Sequence, residues 1–379
     1  MTRIAHHPAA QRIGYRCGRI ARYCVGRVLD RLLPVAANTP LDQVREVRRV
    51  LLVRPNFRIG NTLIASPLVL ALRRRFPGAR LDYLGGDTTA SLLEHLPVDA
   101  VHSVSRRFIL RPWQFVALFV RLRRMHYDVA VEAGMGSFSG GLYTLLTGAR
   151  YRIGVSGRAN RFLNVRLAHP KTAHVYDSAV AFARLLGADC PDHPVYAISA
   201  EESARAAVIL RDIGLMRDGA VQPFVGLFVG GHQSKRWPAP RWLDMARALG
   251  AAGARAVIFA GPEEGQGADR MRRDFGAAAV VVPPQPLRTF AALWSRAALV
   301  VTPDSGPMHL AAAFGVPTIA ILQSEDSLKY RSRNPLDVVL MRAGIDEVVA
   351  AVTHHPRWDA VRVAGADSGR SEGRLVATR

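Results

Sequence analysis

The stretch LVVTPDSGPMHLAAAFGVPTIAIL, Leu299–Leu322, decides the fold. It reads as a buried strand (Leu299–Thr302), a tight polar loop (Pro303–Pro307), a helix, and a second buried strand (Thr318–Leu322). Short apolar runs on either side of a helix are the pattern of parallel strands covered on both faces. The polar residues Asp304, Ser305, Gly306 and His309 fall where the strand ends and the helix begins. Ligands of open α/β sheets sit at such points. A helix start also offers free N–H groups and partial positive charge, which suits a phosphate. The plain alternative is that Asp304 or Ser305 only caps the helix.

The same plan recurs along the chain. Val50–Val53 predicts a strand, Arg54–Asn61 a loop, then a helix to about Arg75 and a strand at Leu81–Leu84. Pro67 is tolerated in that helix only within a first turn. The loop has one glycine where a dinucleotide fingerprint needs three, so a nicotinamide cofactor is not expected. Val101–Val104 and Val129–Val131 predict further strands, the latter ending at Glu132 before the turn GMGSFSGG, with another at Arg150–Gly154. The segment Ser156–His174 is polar and aperiodic and predicts a loop. After a boundary between about residues 190 and 220, strands are expected at Phe224–Val229, Ala256–Phe259 and Val280–Val282. Two successive doubly wound units imply two domains facing each other across a cleft.

At 379 residues and 49% hydrophobic composition, the chain can build two real cores. Its net charge of +21 asks for an anionic partner. Lysine occurs only at 171, 235 and 329, so the excess is arginine. A nucleic-acid partner is not expected, since no aromatic-interleaved basic stretch or readout motif accompanies the charge. The three cysteines lack metal-ligand spacing, and no structural metal is expected. No signal peptide is expected, since the first residues lack a continuous apolar run, and no membrane span is expected, since no apolar run is long enough. Residues 1–45 read instead as an amphipathic, Arg-rich extension, suited to an anionic membrane or to docking on the protein's own body.

Four loops at strand ends carry the candidate site. In GGHQSKRWPAP, which holds the candidate binding residues Gly231 and Ser234, the glycines let backbone amides approach an anion and Lys235 supplies a mobile charge for a diphosphate. Asp304–His309 is the second loop. In the third, Glu263 or Glu264 could hold ribose hydroxyls or merely start a helix. The fourth holds Gly60, Asn61 and Thr62, where an amide can orient a hydroxyl but cannot take its proton. Glu132 is the better-placed carboxylate of that domain, with Asp87 a second choice.

Four ordered segments resemble the family-nine glycosyltransferases, among them the heptosyltransferases of lipopolysaccharide core assembly. They are LLVRPNFRIGNTLIASPLVLALRRRFPGARLDYLGG, HVYDSAVAFARLLGA, VGGHQSKRWPAPRWLDMARAL and VTPDSGPMHLAAAFGVPTIAI, and the likeness covers roughly residues 48 to 350. The resemblance implies a GT-B fold: an acceptor domain (46–200), a nucleotide-sugar domain (201–355) and a flexible tail (356–379). It implies inverting, metal-independent transfer without a cofactor, from a nucleotide-sugar such as ADP-heptose to a saccharide or glycolipid at the cytoplasmic membrane face. Carried over by position, Lys235 would contact the donor diphosphate, Asp304, Ser305, Gly306 and His309 would hold phosphates and sugar, and Glu263 or Glu264 the ribose. The family's general-base Asp is Asn61 here, which leaves Glu132 as the candidate base or the chain without one.

Overall fold

The computed structural model describes residues 35–231, 237–261 and 268–362. The first domain runs β1 (Arg49–Arg54), α1 (Ile59–Ala65), α2 (Pro67–Arg75), β2 (Arg80–Gly86), β3 (Ala100–Val104), α3 (Pro112–Arg124), β4 (Val129–Glu132), α4 (Phe138–Leu146), β5 (Tyr151–Val155), β6 (Val165–Leu167) and α5 (Val175–Leu185). The second continues with α6 (Ala200–Asp212), the hairpin β7 (Met216–Arg217) and β8 (Ala220–Val221), β9 (Val225–Phe228), α7 (Ala239–Ala251), β10 (Ala256–Phe259), α8 (Ala268–Phe275), β11 (Val280–Val282), α9 (Leu287–Trp294), β12 (Leu299–Pro303), α10 (Gly306–Phe314), β13 (Thr318–Leu322), β14 (Val338–Met341), α11 (Ile345–Thr353) and α12 (Trp358–Val361).

Each domain carries one six-stranded, wholly parallel sheet, in the orders β3-β2-β1-β4-β5-β6 and β11-β10-β9-β12-β13-β14. The two orders are the same topology used twice. Their central strands are apolar on both faces because helices cover both; Val50–Val53 and Leu299–Val301 have no exposed surface. The strand order reverses between β1 and β4, and again between β9 and β12. Those two reversal points are where a doubly wound sheet opens a crevice for ligand.

Several boundaries differ from expectation. The helix expected to run unbroken to Arg75 divides at Ser66, with Pro67 opening α2, because proline lacks the N–H an interior turn needs. β6 lies inside the segment expected as a loop; three residues on a sheet edge are too few to show a period. Residues 35–45, assigned to the extension, are part of the first domain: Val44 is in its core, and Asn38 and Gln43 are hydrogen-bonded to Arg166 and Tyr151. The rest of that extension lies outside the described residues. Residues 356–362, assigned to the tail, belong to the second domain, since α12 buries Val361 in its core, and the rest of that tail lies outside the described residues.

The domains share a seam rather than an open cleft throughout. Leu63 of α1 and Leu92 join one apolar cluster with Leu293, Trp294 and Leu310 of the second domain. The first turns of α1 and α10 touch: a Cβ on Gly306 would come 2.7 Å from Cβ of Ile59.

Candidate active site

On the second domain's side, the reversal point is built from the ends of β9 and β12. Gly231, at φ +133°, brings the loop after β9 against the β12–α10 turn, where Pro303 and Ser305 are its nearest neighbours. The turn is held from three directions. The Ser327 hydroxyl donates to Asp304 Oδ2, Thr302 Oγ1 and Ser305 Oγ share a hydrogen bond at 3.0 Å, and the buried Trp294 Nε1–H donates to the Pro307 carbonyl at 3.0 Å. Ser305 occupies the N-cap position, but its side chain makes no cap hydrogen bond, so capping does not explain it. Pro307 has no N–H to give, and the helix start therefore offers fewer donors than the sequence suggested. Lys235, Ser234, Glu263 and Glu264 lie outside the described residues.

His309 is buried, one turn into α10, and faces the other domain. Its Nδ1 lies 2.7 Å from the Tyr176 hydroxyl. Burial pushes the Tyr176 phenol well above its ordinary value, so it stays protonated in this hydrogen bond. The bond fixes the ring so that Nε2 lies on the side facing Gly60. A Cβ at Gly60 would lie 3.1 Å from this nitrogen and 2.7 Å from Cδ2. Gly60 thus admits the histidine ring.

The first turn of α5 adds two more ties. His174 caps the helix through Nδ1, which accepts from Tyr176 N–H at 3.2 Å, and its Nε2–H donates to the Arg331 carbonyl at 2.9 Å. Asp177 accepts a bidentate pair from Arg333, at 2.7 and 2.8 Å. The segment HVYDS therefore fastens the domains together. Sequence reasoning noted the segment but assigned it no role, since the partners lie more than 130 residues away.

On the first domain's side, the reversal point lies between Arg54 and Glu132, at the ends of β1 and β4. Glu132 sits as expected at the strand end, but its side chain is wholly buried. Its oxygens accept from the Gly134 N–H at 2.6 Å and the Gly136 N–H at 2.9 Å. Gly134 and Gly140 pack directly on the carboxylate, and any side chain there would collide with it. Burial raises its pKa to about 7, against the opposing pull of the Arg54 charge and these amide bonds. In this environment Glu132 organises the turn, its carboxylate enclosed by the glycines that follow it. Arg54, which sequence reasoning passed over, is half-buried beside it, its Nε out of solvent and its pKa lowered by desolvation. An arginine closing an apolar strand was its only signal.

Asn61 and Thr62 follow Gly60 in the first turn of α1, Asn61 half-buried and Thr62 buried. Asp87 is exposed and accepts the Arg106 N–H at 3.0 Å. A cavity of about 410 Å³ opens beside the Glu132 turn, lined by Gly136, Ser137, Ser139, Arg158 and His169 among others.

Residues 115–347 match the family model of glycosyltransferase family 9 (heptosyltransferase). The chain belongs to that family. As a member it is a glycosyltransferase with a GT-B fold. It is 21% identical over 293 residues to the lipopolysaccharide core heptosyltransferase OpsX of Haemophilus influenzae, covering 74% of this chain and 81% of that one. It is 24% identical to lipopolysaccharide heptosyltransferase 1 of Escherichia coli K12, covering 73% and 88%. Among solved structures, the family 9 glycosyltransferase of Veillonella parvula superposes with a TM-score of 0.70 at 20% identity, covering 82% of this chain and 97% of that one. Escherichia coli heptosyltransferase WaaC with ADP gives a TM-score of 0.63 at 23% identity, covering 79% and 97%.

Proposed function

We propose that this glycosyltransferase moves heptose from ADP-heptose to a lipopolysaccharide-core acceptor, with inversion at the anomeric carbon and without a metal. The observation that carries the reading is the meeting of Gly231 with the Asp304–Gly306 turn at the second sheet's reversal point, directly opposite the start of α1. Solved relatives of the same fold include one described with ADP and one with ADP-2-deoxy-2-fluoro heptose. In the step, the acceptor oxygen bonds to the anomeric carbon as the bond to the diphosphate oxygen breaks, and the nucleoside diphosphate leaves. Charge grows on that diphosphate, where Lys235 and the amides of the Ser305–Gly306 turn would meet it. The 410 Å³ cavity, with Arg158 and His169 on its wall, suits an anionic acceptor sugar. The proposed setting is the cytoplasmic face of a membrane.

Asn61 cannot take the acceptor's proton, and Glu132 is buried, which favours one second reading: a nucleotide-sugar-binding protein that has lost its base. Product formation with ADP-heptose and a core acceptor separates the two. Asp304→Ala and Lys235→Ala are each expected to lower kcat/KM about tenfold or more, or ~1.4 kcal/mol. Unchanged kinetics in both would remove the site assignment, and turnover gained only in Asn61→Asp would favour the second reading.

A further inference from the structure

Helix α3 is apolar on two opposite faces. Leu118, Phe119 and Leu122 are buried, and Phe115 and Phe119 stack with Tyr143 of α4, at 5.6 and 5.5 Å between ring centroids. The inner face is thereby fixed. Trp113, Val116, Ala117 and Val120 recur at three- and four-residue spacing on the outer face, turned away from that core. Trp113 is 64% exposed, Val116 59%, Val120 43%, and Leu110 just before the helix 71%. Of the seven large apolar side chains exposed among the described residues, four fall in these eleven positions. Scattered exposure needs no explanation, but a contiguous apolar stripe does.

The surroundings say what covers it. Between Ser105 and His126 the chain has six arginines, all exposed, and no acid. Arg106, Arg107 and Arg111 precede the stripe, and Arg121, Arg123 and Arg124 close it. A second copy of a chain with net charge +21 would be repelled, as would residues 1–34 with seven arginines and one acid. An apolar stripe with a tryptophan, rimmed by arginines, matches an anionic bilayer instead: apolar groups enter the interface while guanidinium groups meet lipid phosphates. No described helix is long and apolar enough to cross a membrane, so attachment by this face is in-plane. The stripe follows β3, at the same sheet edge as the loops after β1 and β4.

We propose that the outer face of α3, through Leu110, Trp113, Val116 and Val120 and the surrounding arginines, docks the first domain on an anionic lipid surface. This docking is separate from any by residues 1–34, and vesicle binding reads it without reference to sugar transfer.

The full chain is sedimented with vesicles of phosphatidylcholine alone or with phosphatidylglycerol, as wild type and as the double variant Trp113→Glu, Val116→Glu. Wild type is expected to bind the anionic vesicles at low salt and to lose binding as salt rises. The double variant, whose positions are exposed and whose melting temperature is expected unchanged, should bind about tenfold or more weakly. Brominated lipid should quench wild-type tryptophan fluorescence, since Trp237, Trp242 and Trp294 are buried and Trp358 half-buried. Equal vesicle binding by wild type and variant, equal binding to zwitterionic and anionic vesicles, or loss of self-association in the variant with no lipid binding in either protein would each overturn the proposal.

Discussion

Gly60 and His309 meet across the domain seam so closely that a single added carbon on Gly60 would lie 2.7 Å from the imidazole Cδ2. Glycine is there for space, not for torsion, since Gly60 is a helical residue without a positive φ. The relationship is mirrored by Gly306 against Ile59. Two helix starts, one from each domain, can approach only because both carry glycine where they touch. The residues expected to bind donor and acceptor are therefore also those that set the distance between the domains.

Gly60→Ala must push His309 or the whole of α1 away. Overpacking of this kind costs about 1–3 kcal/mol, and a lowered melting temperature is expected together with a fall in kcat/KM. Gly78→Ala is the control: its Cβ would meet nothing within 4 Å, and its φ is not positive, so melting and kinetics should stay as in wild type. Equal behaviour of the two variants would show that the seam yields freely.

Both doubly wound units were readable in the sequence because parallel strands buried on both faces appear as uninterrupted apolar runs, as in Leu299–Thr302. The three-residue edge strand β6 and the partly exposed β14 were not, the first being too short to show a period and the second lacking a fully buried run. The site divided in the same way. The positions of Asp304 and Gly231 at the reversal point were legible because they lie just past apolar strands. The contacts of Tyr176 and Asp177 were not, because hydrogen bonds to His309 and Arg333 across more than 130 residues leave no local pattern. For Glu132, chain order gives the strand end, but not whether glycines close over a carboxylate.

Tyr176→Phe keeps the ring and removes the hydroxyl paired with His309 Nδ1. A buried imidazole nitrogen left without that partner costs about 1–3 kcal/mol. We expect a lower melting temperature and a weaker affinity for donor nucleotide by calorimetry, as the imidazole is no longer held. Asp177→Asn breaks an ion pair that is over a third exposed on both sides, and screening limits its effect to ~0–1 kcal/mol. A larger loss in Asp177→Asn than in Tyr176→Phe would reverse this ranking.

Arg288 ties α9 to α6 and to the first domain, donating to both oxygens of Glu202 and to the carbonyls of Ser91 and Ala197, each at 2.7 Å. The Arg288 hydrogen bonds hold the Glu202 carboxyl down at about 2 from an ordinary 4.5. A depressed acid contributes stability above its unfolded pKa and loses it as pH falls through the folded one. Unfolding free energy should therefore decline from about pH 4.5 towards pH 2, with this group contributing on the order of 2 kcal/mol. Glu202→Gln should be less stable at pH 6 and should lack that part of the acid slope. Parallel acid profiles for the two proteins would exclude Glu202 as the source.

Glu132 has the opposite sign. Its folded pKa is raised by burial to about 7 from 4.5, so between these values the folded protein holds a proton that the unfolded chain has released. Stability therefore falls as pH rises from about 4.5 to about 7 and is level above, the change being on the order of 3 kcal/mol at most. Glu132→Gln should flatten this window, because an amide does not titrate. Its NH₂ also faces the Gly134 or Gly136 N–H donors, so the turn beside the cavity should loosen and kcat should fall at every pH. If Glu132 were the proton acceptor itself, the variant's residual rate would instead rise with added small-molecule carboxylate. Denaturant titrations across pH 4.5–7.5, with kcat measured in the same buffers, distinguish a carboxylate that builds the turn from one that takes the proton.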